Sequence, residues 1–295
     1  MRKRVWKCIA LVIVALILGA GVTFFLLNRA PKKSWTDYSV VAHAGGGIDG
    51  KSGTNSREAM EQAVKKGYGI IEVDLSLTSD NELILFHGWD SDTQDELELD
   101  DVDLGENGVP DLETFKNMKI CKKYTTMTGE DLVSFMKKNP SIYILTDEKF
   151  SNKDQINVEM EKLAELCGYD EKLLSRFIVQ IYDIDTYDRV MSVYHFPNLM
   201  YATYMYGTDD ESYWVQVVED CQERGIQTIS MWNNMIATKR HGVYGRMRIL
   251  NESGLRICAH TINKLSVVER VKDAGADMIV SDFLYEDDMS LLEDN

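Results

Sequence analysis

The feature that most constrains the fold of this chain is a regular alternation of short apolar runs with amphipathic segments after residue 34. Strands that alternate with helices predict a parallel sheet covered by helices. A run at Leu83–His87 follows the turn at Thr78–Asn81 and predicts an antiparallel return strand. The other eight predicted strands are Ser39–His43, Ile70–Leu75, Ile142–Asp147, Phe177–Ile181, Leu199–Thr203, Thr228–Trp232, Arg256–Thr261 and Met278–Asp282.

Eight β-α units within about 250 residues are typical of a TIM (β/α)8 barrel. We therefore predict an α/β protein with one barrel domain over residues 34–295. A doubly wound open sheet is the alternative, although no Gly-x-Gly-x-x-Gly follows the first strand, which disfavours its dinucleotide-binding version. Residues 88–127 are too many for a simple connection and predict an insertion, which we interpret as a solvated acidic loop.

The charge of the chain excludes one large class of partners. Its 32 Lys and Arg residues stand against 48 Asp and Glu residues, a net charge of −16, and all the acids follow residue 33. Affinity for nucleic-acid phosphates comes mainly from Lys and Arg, so we expect no nucleic-acid partner. The four cysteines of the body are widely spaced without a Cys-x-x-Cys pair, and we expect free thiols.

The first 33 residues predict a membrane anchor with short flanks. Cys8–Leu27 is a run of 20 residues without charge, which as a helix would span roughly 30 Å, the thickness of a bilayer core. A cleaved signal peptide is the alternative, because Gly19-Ala20-Gly21 offers small residues for cleavage. Four cations precede the run and three follow it, which favours a single-pass protein with an extracytoplasmic body.

Polar residues at the strand ends mark the predicted active site, because barrel enzymes carry their sites at the carboxyl ends of the strands. Glu72 and Asp74 lie two residues apart on one strand and therefore point to the same face. If that face is the barrel interior, the two carboxylates need a cation, and Mg²⁺ or Ca²⁺ fits oxygen ligands with Asp147 as a third. The alternative is that the pair faces the helices or a salt bridge.

Histidines end two of the strands that flank this acidic pair. His43 and His87 fit a general acid and a general base, whereas a lone histidine is more often a structural residue. Lys149 shares a face with Asp147 and fits a partner for phosphate.

The same residues occur in an order that is similar to a known family. From His43 the sequence reads HAGGG and later TNSREAMEQAVKKGYGIIEVDLSLTSDNELILFH. It resembles the glycerophosphodiester phosphodiesterase family, within the superfamily of phosphatidylinositol-specific phospholipase C-like phosphodiesterases. The resemblance covers nearly all of residues 38–285, and the matching motifs are His43, Asn55-Ser56, Glu72-Val73-Asp74, Thr78-Ser79-Asp80-Asn81, His87, Asp147-Glu148-Lys149 and the terminal Ser281-Asp282.

The resemblance implies a TIM barrel that hydrolyses a phosphodiester with a bound divalent cation, Ca²⁺ or Mg²⁺. It assigns the metal to Glu72, Asp74 and Asp147, and catalysis to His43 and His87. One histidine would deprotonate a substrate hydroxyl next to the phosphate while the other protonates the leaving alkoxide; water would then open the cyclic phosphate. We expect the substrate to contact Lys149, Asn55, Gln180, Trp232 and His260.

Three positions depart from the family pattern. Ala44 replaces the usual arginine after the first histidine, so a bidentate phosphate contact is lost. His260 stands where an aromatic residue is often found, and Asp147 stands where glutamate is common.

These departures leave three functional hypotheses open. The first is hydrolysis of glycerophosphodiesters or related diesters of lipid headgroups or glycerol phosphate by a membrane-anchored enzyme. The second is a phospholipase D-like enzyme that releases a cyclic phosphate. The third is a barrel without turnover that binds phosphorylated envelope polymers.

Overall fold

A computed structural model of the chain describes residues 33–99, 102, 104, 105, 107–148, 153–204, 210–237 and 243–293. The predicted anchor at residues 8–27 and the predicted phosphate ligand Lys149 lie outside these residues. Within the described part of the chain, no helix is long and apolar enough to cross a membrane.

The barrel predicted from the alternation is confirmed. Its eight parallel strands are β1 (Val40–Ala42), β2 (Ile70–Leu77), β7 (Tyr143–Glu148), β8 (Phe177–Ile181), β9 (Leu199–Ala202), β10 (Thr228–Trp232), β11 (Arg256–His260) and β12 (Met278–Ser281). Strand β1 pairs with β2 on one side and with β12 on the other, so the sheet closes and the open-sheet alternative is wrong. The return strand β3 (Leu83–Leu85) pairs antiparallel with β2, as predicted.

The remaining elements surround this barrel. Three further short strands are β4 (Lys119–Ile120), β5 (Tyr124–Thr125) and β6 (Met127–Thr128). The helices in chain order are α1 (Arg57–Lys65), α2 (Ser91–Glu96), α3 (Leu112–Asn117), α4 (Gly129–Lys138), α5 (Lys153–Leu166), α6 (Glu171–Leu174), α7 (Ile184–Val193), α8 (Glu211–Arg224), α9 (Asn233–Ala237), α10 (Val243–Ser253), α11 (Leu265–Asp273) and α12 (Glu286–Glu293).

The alternation of side chains along β2 decides which residues enter the barrel. Ile71 and Val73 pack outward against the helices, whereas Ile70 packs inward with residues of the other strands. Because side chains alternate along a strand, Glu72 and Asp74 share the inner face with Ile70. The acidic pair therefore points into the barrel, and the alternative that it faces the helices is wrong.

The amino-terminal end of the barrel is closed by the first described residues. Trp35 is 6% exposed and packs with the inward-facing apolar residues of the strands. Its indole N–H donates to the side chain of Asn198, which directly precedes β9, at 3.1 Å. The hydroxyl of Tyr143, the first residue of β7, donates to the carbonyl of Lys33 at 3.4 Å. The chain thus enters the barrel at the end opposite to the carboxyl ends of the strands.

Residues 88–127 are not a plain loop, and this part of the sequence prediction is wrong. They contain α2, α3 and the hairpin of β4 and β5, and they enclose a second apolar cluster. Its largest fully buried members are Phe86 and Phe115, with Trp89 stacked on Phe86 at 4.1 Å between ring centroids. The acids of this segment lie largely on its surface, so their abundance concealed the apolar residues that fold it.

Candidate active site

Polar side chains gather at the carboxyl ends of the barrel strands. All but Trp232 follow an inward-facing apolar residue by two or four positions, as Glu72 and Asp74 follow Ile70 and His260 follows Cys258. Because side chains alternate along a strand, the face that packs in the barrel interior also points into the site at the carboxyl end of the strand. The residues placed there are His43, Glu72, Asp74, Asp147, Gln180, Tyr182, Tyr204, Trp232, His260 and Asp282.

Three carboxylates form the centre of the site. Oxygens of Glu72, Asp74 and Asp147 lie within 4.8 Å of one another, and Glu72 and Asp74 are each 2% exposed. Burial, together with the charges of Asp74 and Asp147, raises the pKa of Glu72 above its usual range. Three such groups cannot remain ionised together at low cost without positive charge among them.

Neutral donors hold the carboxylates in place. The backbone N–H of Ala44 donates to Glu72 Oε2 at 2.5 Å. Asn55 donates through Nδ2 to Asp74 Oδ2 at 2.7 Å and accepts from the backbone N–H of Asp74 at 3.0 Å. Gln180 Nε2 donates to Asp147 Oδ1 at 3.3 Å, and the Tyr182 hydroxyl donates to the same oxygen. These hydrogen bonds fix the orientation of all three carboxylates.

Two of these positions have a left-handed backbone. Ala44 has φ +45° and Asn55 has φ +47°. Such a conformation costs a residue with a Cβ roughly 1–2 kcal/mol, less for asparagine. At both positions the backbone is held by hydrogen bonds, because the Asn55 N–H donates to the carbonyl of Ala44 at 2.9 Å and the Ala44 N–H binds Glu72.

A divalent cation fits the donor set. Oxygens bound to Ca²⁺ or Mg²⁺ at about 2.0–2.6 Å lie roughly 3–5 Å from one another. The spacing of the three carboxylates is in this range, and their chemistry is that of hard oxygen ligands. The raised pKa of Glu72 supports the same conclusion, because a cation at this site would offset the repulsion from Asp74 and Asp147 that contributes to it.

His43 is held by a carboxylate on the last strand of the barrel. Its Nδ1 lies 2.8 Å from Asp282 Oδ1, and Asp282 accepts a second bond from Asn263 Nδ2 at 2.6 Å. Burial lowers the pKa of His43, but the hydrogen bond to Asp282 and the charge of Glu72 outweigh it and raise this pKa to about 9. Because an ionised carboxylate only accepts, Nδ1 carries a proton and Nε2 is left for other chemistry.

His87 is exposed and follows the return strand. The N–H of the preceding residue, Phe86, donates to the carbonyl of Asp74 at 3.0 Å, so the backbone at His87 lies next to that of Asp74. Its Nδ1 lies 3.4 Å from the hydroxyl oxygen of Thr93. That hydroxyl donates to Asp90 Oδ2 at 2.9 Å.

Aromatic rings form one wall of the mouth. The rings of Tyr204, Trp232 and His260 lie 5.0–5.2 Å apart between centroids, and His260 also contacts the ring of His43 at 5.0 Å. Trp232 is 42% exposed and so presents a large apolar surface at the entrance. Burial raises the pKa of Tyr204 well above its usual range, so its phenol is neutral and binds Ser230.

The sequence matches the model of the glycerophosphoryl diester phosphodiesterase family over residues 43–286. This range contains the acidic cluster, both histidines and the seven barrel strands other than β1, which ends one residue before it. The chain belongs to this family. It is accordingly a phosphodiesterase, and the resemblance noted in the sequence is confirmed.

Solved structures agree on the fold of this phosphodiesterase. A glycerophosphodiester phosphodiesterase from Parabacteroides distasonis has 16% identity and a TM-score of 0.65, covering 87% of this chain and 97% of that one. A phosphodiesterase from Oleispira antarctica, in complex with the product sn-glycerol-3-phosphate, has 13% identity and a TM-score of 0.61, covering 88% and 97%. One from Thermotoga maritima has 17% identity and a TM-score of 0.58, covering 85% and 96%. No curated protein matches the sequence significantly.

The structure brings most of the predicted site residues of this phosphodiesterase together, but two of them have other contacts than expected. The sequence analysis placed Asn55 and Gln180 at the substrate. In the structure both are almost fully buried, and their amides hold Asp74 and Asp147. Trp232 and His260 lie at the mouth, where a substrate can reach them.

Sequence reasoning missed several residues that position the site. Asp282 was noted at a strand end but was given no role, and Tyr182 lies two residues beyond the inward-facing Gln180. The period of two was the signal that would have found them. No such signal exists for Thr93 or Asn263, because they reach the site from connecting segments.

Proposed function

We propose that this protein is a metal-dependent glycerophosphodiester phosphodiesterase in which His43 and His87 exchange protons with the substrate. One observation carries the proposal: both histidines stand one residue from a backbone contact to the acidic cluster. Ala44 binds Glu72 through its N–H, and Phe86 binds the carbonyl of Asp74. A diester held at the carboxylate site would therefore lie between the two imidazoles.

The partners of the two histidines support a division of roles. His43 faces the carboxylate of Asp282, which favours the imidazolium, so His43 holds a proton that it can donate to a leaving alkoxide. His87 faces a neutral hydroxyl and serves as the base that removes the proton of the attacking hydroxyl. Attack by the neighbouring substrate hydroxyl gives a cyclic phosphate and the free alcohol. Water then opens the ring with the two proton transfers reversed, which yields the monoester.

Glu72, Asp74 and Asp147 would hold the cation, Ca²⁺ or Mg²⁺. Bound there, it would neutralise negative charge that develops on the phosphoryl oxygens. We also assign a phosphate contact to Lys149, on the basis of its position two residues after Asp147. The neutral phenol of Tyr204 and the rings of Trp232 and His260 are placed to contact the alcohol group of the substrate.

We further propose that residues 8–27 anchor the protein in a membrane with the body outside the cytoplasm. Six residue steps separate Leu27 from Lys33, so this connection spans at most about 20 Å. Lys33 and Trp35 lie at the amino-terminal end of the barrel. A domain of this size has a radius of gyration of about 18 Å and is therefore about 45 Å across.

This arrangement favours a substrate that arrives from the aqueous side. The connection is too short to turn the opposite end of the barrel, with its active site, towards the bilayer. A water-soluble glycerophosphodiester fits this geometry better than a diester lipid in the bilayer that holds the anchor. The product bound to the Oleispira antarctica enzyme, sn-glycerol-3-phosphate, is consistent with a glycerophosphodiester.

Phosphorus NMR of the purified full chain with glycerophosphocholine tests the proposal. We expect sn-glycerol 3-phosphate to appear with Ca²⁺ or Mg²⁺ and not with EDTA. A cyclic phosphate that accumulates without opening would favour the phospholipase D-like alternative. Absence of turnover with either cation, or full activity of His43→Ala or His87→Ala, would contradict the proposal.

Reconstitution into vesicles tests the orientation separately. We expect the full chain to hydrolyse glycerophosphocholine in the medium and to spare lysophosphatidylcholine in its own bilayer. A variant with about 20 Gly and Ser residues inserted after Asn28 should gain activity on the bilayer lipid, because such a linker adds roughly 25 Å of reach. Equal rates on the bilayer lipid without the insertion would contradict the orientation.

A further inference from the structure

We propose that Thr93 and Asp90, two residues of the insertion, position His87 by fixing which of its ring nitrogens carries the proton. The inference rests on the proposed role of His87 and goes beyond it, because it makes the insertion part of the catalytic machinery. Neither residue belongs to a barrel strand or to the motifs that carry the family resemblance.

The geometry begins with the cap of helix α2. Asp90 is the N-cap residue, and its Oδ1 accepts from the backbone N–H of Thr93 at 3.0 Å. Its Oδ2 accepts from the hydroxyl of the same threonine at 2.9 Å. These two hydrogen bonds hold the pKa of Asp90 below its usual range, so the carboxylate is ionised and acts only as an acceptor.

The hydroxyl of Thr93 has a single proton, and it donates that proton in its hydrogen bond to Asp90. The oxygen of that hydroxyl is therefore left as an acceptor towards His87 Nδ1, at 3.4 Å. Only a protonated Nδ1 satisfies this contact, so Nε2 carries the lone pair in the neutral ring. A hydroxyl without Asp90 could serve as donor or acceptor and would select neither tautomer.

This arrangement suits a group that must take up and return a proton. In the neutral ring Nε2 is the base, and in the imidazolium Nε2–H is the acid. Nδ1 keeps its proton in both states, so the contact to Thr93 survives the whole cycle. Asp282 imposes the same tautomer on His43. The partner of His43 is thus a charged carboxylate, whereas the partner of His87 is a neutral hydroxyl.

The surroundings make Thr93 rigid enough for this task. Thr93 is 8% exposed, although His87 itself is exposed. Gln94 donates to the carbonyl of Trp89 at 2.5 Å, and Trp89 stacks on Phe86, the residue before His87. The apolar cluster of the insertion thus holds both ends of the turn that brings Thr93 to the imidazole.

Substitutions of Thr93 provide the first test, with turnover of glycerophosphocholine as the readout. We expect Thr93→Val to lower kcat about tenfold, the lower end of the range found for hydrogen-bond partners of metal-bound histidines, with KM within about twofold. Thr93→Ser should restore kcat. Thr114→Val is the matched control, because Thr114 has the same position after the N-cap Asp111 of α3 and makes no hydrogen bond to a histidine of the described residues.

Long-range ¹H–¹⁵N NMR of the histidine side chains provides a readout that a purely structural role would not move. The His87 signals, assigned by their loss in His87→Ala, should show the Nδ1–H tautomer in the wild-type protein. Asp90→Asn keeps an N-cap acceptor but presents an amide donor to Thr93. The threonine proton is then free to point at His87, and we expect the Nε2–H tautomer and a loss of kcat.

The outcomes separate this inference from the proposed function. Wild-type tautomer and kcat in both Thr93→Val and Asp90→Asn, with His87→Ala inactive, would overturn the inference alone. Full activity of His87→Ala would overturn the proposed function instead. If Thr93→Val fails to fold, the tautomer of Asp90→Asn decides the question, because that variant keeps the helix cap.

Discussion

His43 Nδ1 lies 2.8 Å from Asp282 Oδ1, although the two residues are 239 positions apart in the chain. Closure of the barrel brings them together, because β1 pairs with β12 and each residue directly follows its strand. The contact connects the first and the last strand across the active site. It also gives the proposed acid of the reaction its charge.

The pH dependence of the enzyme should report this contact. The hydrogen bond to Asp282 helps to raise the pKa of His43 to about 9, so His43 keeps its proton at neutral pH and loses it as the pH rises towards 9. A bound cation offsets the share due to Glu72, so we expect the alkaline limb of kcat between about 6.5 and 9. Asp282→Asn should move this limb to lower pH, as measured by pH-rate profiles.

Asp277→Asn is the control for this prediction. Asp277 accepts from the backbone N–H of Ile257 at the opposite end of the barrel. Its loss should leave the alkaline limb in place. An alkaline limb that stays unchanged in Asp282→Asn would show that His43 does not supply the proton.

Removal of one carboxylate should abolish stabilisation by the metal. A cation at about 100 times its Kd adds about 2.7 kcal/mol to the free energy of unfolding. In a barrel of this size that corresponds to an increase in Tm of roughly 5–10 °C. We expect this increase for the wild-type protein and its absence in Glu72→Gln, by differential scanning calorimetry with Ca²⁺, Mg²⁺ or EDTA.

In the metal-free protein, the substitution Glu72→Gln should have the opposite effect on Tm. The folded-state pKa of Glu72 is raised, so its ionisation costs stability, and the cost appears as the pH rises above the unfolded-state value. In EDTA at pH 8, Glu72→Gln should therefore melt at the same temperature as the wild type or above it. A lower Tm of the variant in EDTA would contradict the electrostatic account of the site.

Two substitutions of Asn55 should separate its side chain from its backbone. Asn55 holds Asp74 through two hydrogen bonds and has φ +47°. Both Asn55→Gly and Asn55→Ala should weaken metal binding about tenfold, measured by calorimetric titration, because both lose the amide. Only alanine adds the strain of a left-handed backbone, so it should unfold about 1 kcal/mol more easily than glycine. Equal stability of the two variants would contradict this assignment.

Trp35 should contribute to stability without contributing to catalysis. It is 6% exposed at the amino-terminal end of the barrel, and we expect Trp35→Ala to cost about 3–5 kcal/mol in urea unfolding. The KM of the folded fraction should stay within about twofold of the wild-type value. A large change in KM would mean that the two ends of the barrel are coupled.

The comparison of sequence with structure shows where prediction from a single chain succeeds. The apolar runs at Phe177–Ile181 and Thr228–Trp232 match their strands residue for residue, since buried strands leave a local apolar pattern. The shared face of Glu72 and Asp74 followed from the same period of two, and the structure shows that this face is the barrel interior. The insertion was misread because its acids outnumber the few apolar residues, such as Phe115, that fold it.

The sequence by itself determined the barrel, the common face of Glu72 and Asp74, and the two histidines at strand ends. All of these depend on local periodicity, which repeats every two residues along a strand. Only the tertiary structure decided the partners: Asp282 for His43, Asn55 for Asp74, and Thr93 for His87. These contacts depend on strand register, barrel closure and the path of connecting segments, none of which leaves a periodic trace in the sequence. The local sequence therefore specifies which residues reach the site, and closure of the barrel determines which hydrogen bonds orient them.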